Sequence, residues 1–395
     1  MPKLLQINVD SALYSCGKIC EDISKVAQHN GWETWIAYGR EHKDGVNKEI
    51  KIGSWADVYL HWAVQRVFDN EGRGSRRATK KLVEQIKDLN PDLIHIHLIH
   101  DHYLNYPVLF EYLSKAKIPV VWTQHDSWNL TGHCYHFVSA NCDRWKTECH
   151  DCPLIHSYPN NLLDRSRKNY LQKREAFTSV ENLNIVSCSH WLDDFVAESF
   201  LQNKNHLVIH NGVDINRFKP TVPKREKFTI IGVALPWSKA KGIDDYFRLR
   251  EFLPQEDYDI IMVGLSPEQK KTLPVGIIGI ERTHIVDELV ELYSSSHALV
   301  NTTYADNFPT INIEALACGT PVITYKTGGS PEAIDEKTGV VVEQGDVEAL
   351  AEAIKQMREN PLSSDDCRKR AVEYFDKDKC FDKYVELYEK LMRKG

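Results

Sequence analysis

The sequence has no long apolar segment and no excess of basic residues. No stretch of its 395 residues approaches the roughly 20 apolar residues that a membrane-spanning helix needs. The apolar run that follows Met1 is too short for a secretory signal peptide, so we expect a cytoplasmic protein. Peripheral contact with the cytoplasmic face of the membrane stays open. The 56 Asp and Glu residues outnumber the 49 Lys and Arg residues, which argues against a nucleic-acid-binding protein.

Low-complexity tracts are also missing, and the composition is that of a globular protein, with 42% hydrophobic and 27% charged residues. Because single hydrophobic cores stop growing at about 250–300 residues, the length predicts two domains. Ten cysteines in a chain without a signal peptide predict reduced thiols or metal ligands rather than disulfides.

Short apolar runs alternate along the chain with longer amphipathic stretches. Repeated strand-helix-strand units with nearly continuous apolar strands predict parallel sheets that are covered on both faces. We therefore expect an α/β protein with two doubly wound sheets. The runs predicted as strands are Leu4–Asn8, Thr34–Tyr38, Leu93–His97, Val120–Gln124, Ile185–Cys188 and Leu207–His210, followed by Thr229–Ala234, Ile260–Val263, Ile277–Ile280, Ala298–Thr302, Pro321–Tyr325 and Val340–Val342.

The domain boundary is predicted near residues 211–214, because the polar, Pro-containing stretch 219–224 that follows is typical of a linker. The expected domains are 1–212 and 213–370, and residues 371–395 are expected to form helices that pack back toward the first domain. The longest irregular region is 127–164. Loops of this length in a compact domain are usually functional or held by a cross-link.

The segment 306–324 carries the strongest functional signal. A predicted strand ends at Thr302, a loop with Asp306 follows, and a helix with Glu314 in its first turns begins near Thr310. The start of a helix at the carboxyl end of a parallel strand favours anions, and open α/β sheets bind ligands at this edge. There, Glu314 can accept both hydroxyls of a ribose, and Asp306 can accept sugar hydroxyls. The alternative is an ordinary helix start with a solvated acid.

Three glycines follow this helix closely. Gly319 and Pro321 are expected to end the helix and begin the next strand, and the tight loop 327–332 contains Gly328 and Gly329. Glycines let the backbone approach a ligand closely.

Together, the acids Asp306 and Glu314, the Gly-x-Pro-Val ending and the Gly-Gly loop resemble the E-x7-E region of retaining glycosyltransferases of family 4. The resemblance covers essentially the whole chain. It implies the GT-B fold, with two Rossmann-like domains facing across a cleft, the first binding the acceptor and the second the nucleotide sugar. The first acid of the pair is usually Glu in this family, and here Asp306 is shorter by a methylene.

The resemblance also implies the donor-binding residues. Lys241 matches the lysine with which the family grips the donor pyrophosphate, and Lys239 can supply a second charge, although it can equally be a surface lysine. The family's upstream arginine is missing here. The stretch around Arg282 resembles the part of the family that contacts the base. The further donor-binding residues implied are Gly17, Asn307, Phe308, Pro309, Thr310, Ile311, Glu314, Gly328 and Gly329.

Two segments of the first domain match positions near the reacting sugar. The loop after the first strand contains Ser15 and Gly17, and the family places this loop against the diphosphate and the acceptor. His125 follows another predicted strand and matches the histidine that contacts the donor sugar. The resemblance thus implies His125, Asp306, Glu314 and Lys241 as the catalytic set. The alternative for His125 is a histidine at the edge of the core.

Histidines and basic residues in the first domain are candidates for binding the acceptor. His95, His97, His100 and His102 form a cluster in which His95 and His97 share one face of a strand. No acidic partner fixes a metal site in this cluster, so no metal is expected there. His100 and His102 are expected to contact the acceptor. The basic loop that carries Arg76 and Arg77, with Ser75 as the candidate N-cap, follows a helix with exposed aromatic residues. These features suit a phosphorylated, lipid-linked acceptor at a membrane surface, or simply a solvated helix end.

Four cysteines lie within the irregular region: Cys134, Cys142, Cys149 and Cys152. Their spacing suits a tetrahedral structural zinc; four reduced thiols or a pair of disulfides are the alternatives. The run 124–134, the Cys-x-x-Cys-Pro sequence and Tyr158-Pro159 resemble a bacterial subgroup of family 4 from capsule and exopolysaccharide (colanic-acid-like) gene clusters.

The implied reaction moves a sugar from an NDP-sugar, with UDP favoured, to a saccharide or lipid-linked acceptor with retention of configuration. No Asp-x-Asp motif stands at the end of a predicted strand, so no cofactor beyond the donor is expected for catalysis. Two alternatives remain: a sugar-nucleotide epimerase with the GT-B fold, and a non-catalytic glycan-binding or scaffold subunit.

Overall fold

The computed structural model describes residues 1–157 and 159–393, which divide into two compact units. The first is Met1–Ile209 together with the chain from Phe381 onward, and the second is His210–Cys380. Tyr158, which was quoted in the resemblance, and the last two residues of the predicted tail segment lie outside the described residues. Within the described ranges, no helix combines the length and apolarity that a bilayer crossing requires.

The described part of the first unit contains a seven-stranded parallel sheet with the order β3-β2-β1-β4-β5-β6-β7. Its strands are β1 (Lys3–Asn8), β2 (Glu33–Tyr38), β3 (Lys48–Lys51), β4 (Leu93–Ile96), β5 (Val120–Gln124), β6 (Leu183–Ser187) and β7 (Asn205–Val208). Its helices are α1 (Tyr14–His29), α2 (Trp55–Phe68), α3 (Arg76–Leu89), α4 (Tyr106–Leu113), α5 (Ser166–Thr178) and α6 (His190–Glu198).

The described part of the second unit contains a six-stranded parallel sheet with the order β10-β9-β8-β11-β12-β13. Its strands are β8 (Phe228–Val233), β9 (Tyr258–Val263), β10 (Ile277–Ile280), β11 (Ala298–Asn301), β12 (Val322–Tyr325) and β13 (Gly339–Val342). The helices are α7 (Ile243–Phe252), α8 (Pro267–Lys271), α9 (Val286–Ser295), α10 (Thr310–Ala317), α11 (Val347–Glu359), α12 (Ser364–Tyr374) and α13 (Lys377–Met392), whose residues from Phe381 onward belong to the first unit.

The central strands are buried on both faces, which is why they are recognisable as short apolar runs. Strands β5 and β6 are buried along their whole length. Each run that the sequence predicts as a strand overlaps a strand of the structure, and the two doubly wound parallel sheets are confirmed. The sequence missed β3, because this edge strand reads Lys-Glu-Ile-Lys and only Ile50 is buried.

The strand orders place a topological switch point in each sheet. In the first unit, β1 pairs with both β2 and β4, and in the second unit β8 pairs with both β9 and β11. The connections that leave β1 and β4 therefore run in opposite directions along the first sheet, and those that leave β8 and β11 do so along the second. Crevices at the carboxyl ends of these strands are the usual ligand sites of open α/β sheets.

The first unit ends at Ile209, three residues before the predicted boundary at residue 212. Val213 donates its backbone N–H to Phe375 O (2.8 Å) and accepts a hydrogen bond from the Lys377 N–H (3.0 Å). These bonds hold residues 210–213 to the second unit. In the first unit, the hydroxyls of Tyr384 and Tyr388 bond to Thr123 (3.0 Å) and His95 (2.6 Å).

Candidate functional site

In the second unit, backbone hydrogen bonds join the loops that follow β8 and β11. A 3-10 turn, Lys239–Lys241, follows β8. Its Ala240 carbonyl accepts a hydrogen bond from the Tyr304 N–H (2.8 Å), and Lys241 O accepts one from Thr302 Oγ1 (3.0 Å). Gly242, with a φ of +72°, lies so close that a Cβ would come within 2.3 Å of Thr302 O. The two loops thus form one surface at the switch point of this sheet.

Two predicted site residues on this surface contact each other directly. Lys241 Nζ donates to Asp306 Oδ2 at 2.7 Å, and the two side chains are 37% and 24% exposed. An ion pair this accessible contributes little net stability, because water and salt screen it. Another anion can therefore replace Asp306 as the partner of Lys241 at low cost.

Helix α10 begins beside this ion pair, with Pro309 as its N-cap residue and without a side-chain cap. A chain of buried amides fixes the helix: Asn301 Nδ2 donates to Asn312 Oδ1 (2.9 Å), and Asn312 Nδ2 donates to Ser330 O (3.3 Å). The chain joins the end of β11, the start of α10 and the Gly-Gly loop. Sequence reasoning missed both asparagines; the signal was a polar residue inside each of two otherwise apolar segments.

The Gly-Gly loop approaches the Asp306 backbone closely. Gly328 has a φ of +54°, and a Cβ at this position would lie 1.8 Å from Asp306 O. Thr327 Oγ1 also accepts a hydrogen bond from Gln344 Nε2 (2.7 Å). Only glycine combines this left-handed φ with so close an approach to Asp306 O. The backbone of this loop therefore reaches the same surface as the Lys241–Asp306 ion pair.

Glu314 lies half-buried on α10, and its Oε2 accepts a hydrogen bond from the Tyr293 hydroxyl at 3.0 Å. Burial, together with the charge of Glu314, raises the pKa of Tyr293 well above its usual value. The tyrosine therefore remains a proton donor that orients the carboxylate. Tyr293 was not among the predicted site residues.

The other predicted donor residues occupy varied positions. Asn307, Phe308 and Pro309 are buried, and the Phe308 ring packs against His210 and Phe375, with centroid distances of 4.9 and 5.9 Å. A donor contact at Phe308 would therefore fall to its backbone. Gly329 is buried, Thr310 and Ile311 are half-buried, and Lys239 is exposed. Arg282 is exposed after β10, the edge strand two positions from β8.

In the first unit, His125 at the end of β5 belongs to a buried chain of hydrogen bonds. Gln6 Oε1 pairs with His97 Nε2 (2.8 Å), and His97 Nδ1 pairs with His125 Nε2 (3.1 Å). Because Gln6 Nε2 donates to Cys20 O and Ser24 Oγ, its Oε1 is the acceptor, so His97 carries its proton on Nε2 and His125 donates from Nε2. Burial lowers the pKa of His125 to about 4, so the ring is neutral at physiological pH.

His100 and His102 have partners within the first unit. His100 Nε2 lies 2.8 Å from Asp126 Oδ2, and His102 Nε2 lies 3.2 Å from Gln65 Oε1. Burial disfavours the charged His100 ring, but Asp126 and Asp101 outweigh it and raise the pKa of His100. The acceptor contact predicted for these two histidines stays a prediction.

The remaining acceptor candidates lie near the surface. Ser15, Arg76 and Arg77 are exposed, whereas Gly17 is buried against the Asp10 backbone. Ser75 precedes α3 as predicted, but its side chain makes no capping hydrogen bond. The residue has a φ of +51°, and its Oγ instead donates to His102 O (3.2 Å).

The four cysteines of the irregular loop line one small pocket, together with His133 and other residues. Each of the four carries a free thiol, so no disulfide joins them. Burial raises the pKa of the Cys149 thiol to about 12. Among the described residues, no three of the four sulfur atoms lie within 4.8 Å of one another. The sulfurs of a tetrahedral zinc site are about 3.8 Å apart, so zinc stays a prediction that requires closure of the pocket.

Two family models match the chain. The model described as "Glycosyltransferase Family 4" matches residues 18–217, and the model described as "Glycosyl transferases group 1" matches residues 214–374. Among curated proteins, WcaC of Escherichia coli (strain K12), assigned as a colanic acid biosynthesis glycosyl transferase, is 23% identical over 389 residues, covering 89% of this chain and 90% of WcaC. A D-inositol 3-phosphate glycosyltransferase of Corynebacterium diphtheriae is 33% identical, covering 69% of this chain and 67% of the relative.

Solved structures share the fold at low sequence identity. Anabaena HepE in complex with UDP superimposes with a TM-score of 0.67 and 15% identity, covering 99% of this chain and all of HepE. The HepE complex with UDP-glucose has a TM-score of 0.64 and 16% identity, covering 98% of this chain and 99% of HepE. The GT-B fold expected from the sequence is confirmed by these likenesses and by the two parallel sheets.

The close approach at Gly328 generates a stability prediction. Gly328→Ala should destabilise the protein more than Gly276→Ala, a matched control that also has a positive φ, of +86°, but faces only the exposed Gln255 side chain. The left-handed backbone alone should cost about 1–2 kcal/mol in both variants. The clash with Asp306 O should add about 1–3 kcal/mol in Gly328→Ala. Urea denaturation measures both free energies of unfolding, and equal losses would contradict the close packing of the two loops.

Proposed function

Because the chain is a glycosyltransferase that belongs to glycosyltransferase family 4, we propose that it transfers a hexose from a nucleoside-diphosphate sugar to a saccharide acceptor with retention of anomeric configuration. The observation that carries this proposal is the Lys241–Asp306 ion pair at the switch point of the second unit, beside the start of α10. A cation, a sugar-binding carboxylate and uncapped helix N–H groups meet there, and a nucleotide sugar needs all three.

The departing diphosphate gains negative charge as the anomeric carbon becomes oxocarbenium-like. Lys241 is the cation we assign to this charge, with Lys239 as a second. The N–H groups at the start of α10 and the backbone at Gly328 and Gly329 add fixed dipoles. These groups need no reorganisation during the reaction, because backbone bonds and buried amides hold them. The leaving phosphate can then accept the proton of the acceptor hydroxyl on the same face of the sugar.

Donor binding exchanges partners within the ion pair. When a phosphate of the donor approaches Lys241, it replaces Asp306, whose carboxylate then accepts hydrogen bonds from hexose hydroxyls. Both side chains are partly exposed, which supports this exchange, because breaking a solvent-accessible ion pair costs little free energy. Asp306 therefore has one role before the donor binds and another afterwards.

Glu314 is the residue we assign to the ribose of the nucleotide. Its Oε2 is held by Tyr293, so the carboxylate keeps one orientation and can accept two ribose hydroxyls. UDP is the nucleotide we favour, because HepE, which has the same fold, forms complexes with UDP and UDP-glucose. His125 keeps its predicted role of orienting the transferred sugar.

We further assign the reaction to capsule, exopolysaccharide or O-antigen synthesis, with a lipid-linked acceptor at a membrane surface. The likeness to WcaC supports the pathway. The surface of the first unit supports the membrane contact. Trp55, Tyr59 and Trp62, one turn apart along α2, are 42%, 65% and 51% exposed. Arg76 and Arg77 are exposed at the start of α3. Exposed aromatic rings beside basic residues suit an interface that carries anionic lipids.

Nucleotide binding tests the donor site. Calorimetry with UDP, GDP and ADP should show clear binding of one nucleotide, UDP, to the wild type. Glu314→Gln should weaken this binding about tenfold or more, because it removes the charge from the ribose acceptor. The matched control is Glu343→Gln, which changes an exposed carboxylate of the same unit that pairs with Lys326.

The control should bind UDP like the wild type. Binding of none of the three nucleotides by a folded wild-type protein would contradict the donor site. With the nucleotide known, a panel of its sugar conjugates identifies the hexose. The NMR coupling constant of the anomeric proton in the product then shows whether configuration is retained.

Membrane contact is tested with sedimenting vesicles. The wild type should bind vesicles that contain anionic phospholipid and should bind less in high salt. The double variant Tyr59→Ser, Trp62→Ser should bind several-fold less, because it removes exposed aromatic area without changing charge. Tyr374→Ser, which removes an exposed aromatic ring from the second unit, is the control. Equal sedimentation of all three proteins would contradict the assignment of α2 to the membrane.

A further inference from the structure

A carboxylate-imidazole cluster in the first unit lies beyond the proposed donor site. One ligand atom each from Glu71, His100 and Asp101 lie within 4.8 Å of one another. His100 and Asp101 are on the loop after β4, and Glu71 is on the loop before α3. Glu71 and His100 are each only 6% exposed. The sequence predicts no metal site near these histidines because it shows no acidic partner, and the fold brings Glu71 and Asp126 to His100.

The ring of His100 is held at one nitrogen only. Its Nε2 lies 2.8 Å from Asp126 Oδ2, and Asp126 is itself fixed because Oδ1 accepts the Trp128 backbone N–H (2.9 Å). The other nitrogen, Nδ1, is buried without a hydrogen-bond partner and lies 3.9 Å from Asp101 Oδ2. A carboxylate that holds one ring nitrogen while the other nitrogen faces a cluster of acids is the arrangement of metal-binding histidines.

Glu71 shows the same asymmetry. Its Oε1 accepts hydrogen bonds from the Tyr135 hydroxyl and from the Asp101 backbone N–H (3.4 Å). Its Oε2 is buried without a hydrogen-bond partner. A buried carboxylate oxygen without a partner is unfavourable, so Glu71 Oε2 calls for a cation, and His100 Nδ1 lies 3.9 Å from the Asp101 carboxylate of the same cluster.

The backbone holds the cluster in an uncommon conformation. Asp101 and His102 are consecutive non-glycine residues with φ values of +69° and +70°. Left-handed backbone is uncommon for non-glycine residues, but Asp and His adopt it more often than most, so this conformation only adds to the observations on the side chains. His102 Nε2 lies 3.9 Å from Glu71 Oε1 but is already paired with Gln65 Oε1 (3.2 Å), so His102 is not counted among the ligands.

We propose that Glu71, His100 and Asp101 bind a divalent transition-metal ion, with Asp126 and Tyr135 orienting two of the ligands. Carboxylate oxygens with an imidazole nitrogen suit both Mn²⁺ and Zn²⁺, whereas thiolate ligands do not favour Mn²⁺. Bonds of about 2.1 Å require the ligand atoms to draw together by about an ångström. The ion holds the loop at the carboxyl end of β4. The proposal does not depend on the donor site of the second unit.

Binding of Mn²⁺ tests the proposal in the full chain, because manganese avoids the four thiols of the cysteine pocket. Electron paramagnetic resonance should show saturable loss of the free Mn²⁺ signal, with about one ion per chain. Glu71→Gln and Asp101→Asn should each abolish or strongly weaken binding. Asp126→Asn, which disturbs only the orientation of His100, should weaken it about 10–100-fold. Mn²⁺ should also raise the melting temperature of the wild type and not that of Glu71→Gln.

Glu84→Gln, an exposed change on α3, is the matched control and should bind Mn²⁺ like the wild type. Circular dichroism shows whether each variant is folded. If one of the two ligand variants does not fold, the other still tests the site. Absence of saturable Mn²⁺ binding by the wild type would overturn the proposal. Binding that survives in folded Glu71→Gln and Asp101→Asn would overturn it equally.

Discussion

The hydrogen bond from the Tyr304 N–H to Ala240 O joins the loops after β8 and β11, and the candidate donor site depends on it. Neighbouring parallel strands bring the two loops to one edge of the sheet, and this bond together with those of Thr302 and Thr303 fixes their separation. That separation sets the 2.7 Å contact between Lys241 and Asp306. A cation and a carboxylate from loops more than sixty residues apart thus meet without any buried charge.

A different kind of polar chain stiffens the first unit. There the hydrogen bonds run through side chains, from Gln6 on β1 through His97 to His125 at the end of β5. Gln6 and His97 are buried and His125 is half-buried, so breaking the first link leaves a buried group without its partner. Burial keeps the His125 ring neutral, with a pKa of about 4, so the ring can exchange hydrogen bonds with a neutral sugar without a change of charge.

The sequence was sufficient to predict the two parallel sheets, because fully buried strands appear as apolar runs whatever their neighbours are. It missed β3, where a charged edge strand buries only Ile50. Asp306, Glu314 and Lys241 could be selected singly from their motifs. Their partners could not, because the Tyr293–Glu314 and Asn301–Asn312 contacts arise only when α9, α10 and β11 pack. The same limit hid Glu71 and Asp126, which lie 29 and 26 residues from His100 along the chain.

The central claim is that the loops at the switch point of the second unit bind the nucleotide part of the donor. Hydrogen–deuterium exchange with and without UDP tests this claim most directly, because it reports which backbone amides the nucleotide protects. Exchange should slow at residues 239–242, 310–312 and 327–330 and stay unchanged along α11, which lies outside the site. Protection confined to other segments, or no protection at saturating UDP, would contradict it.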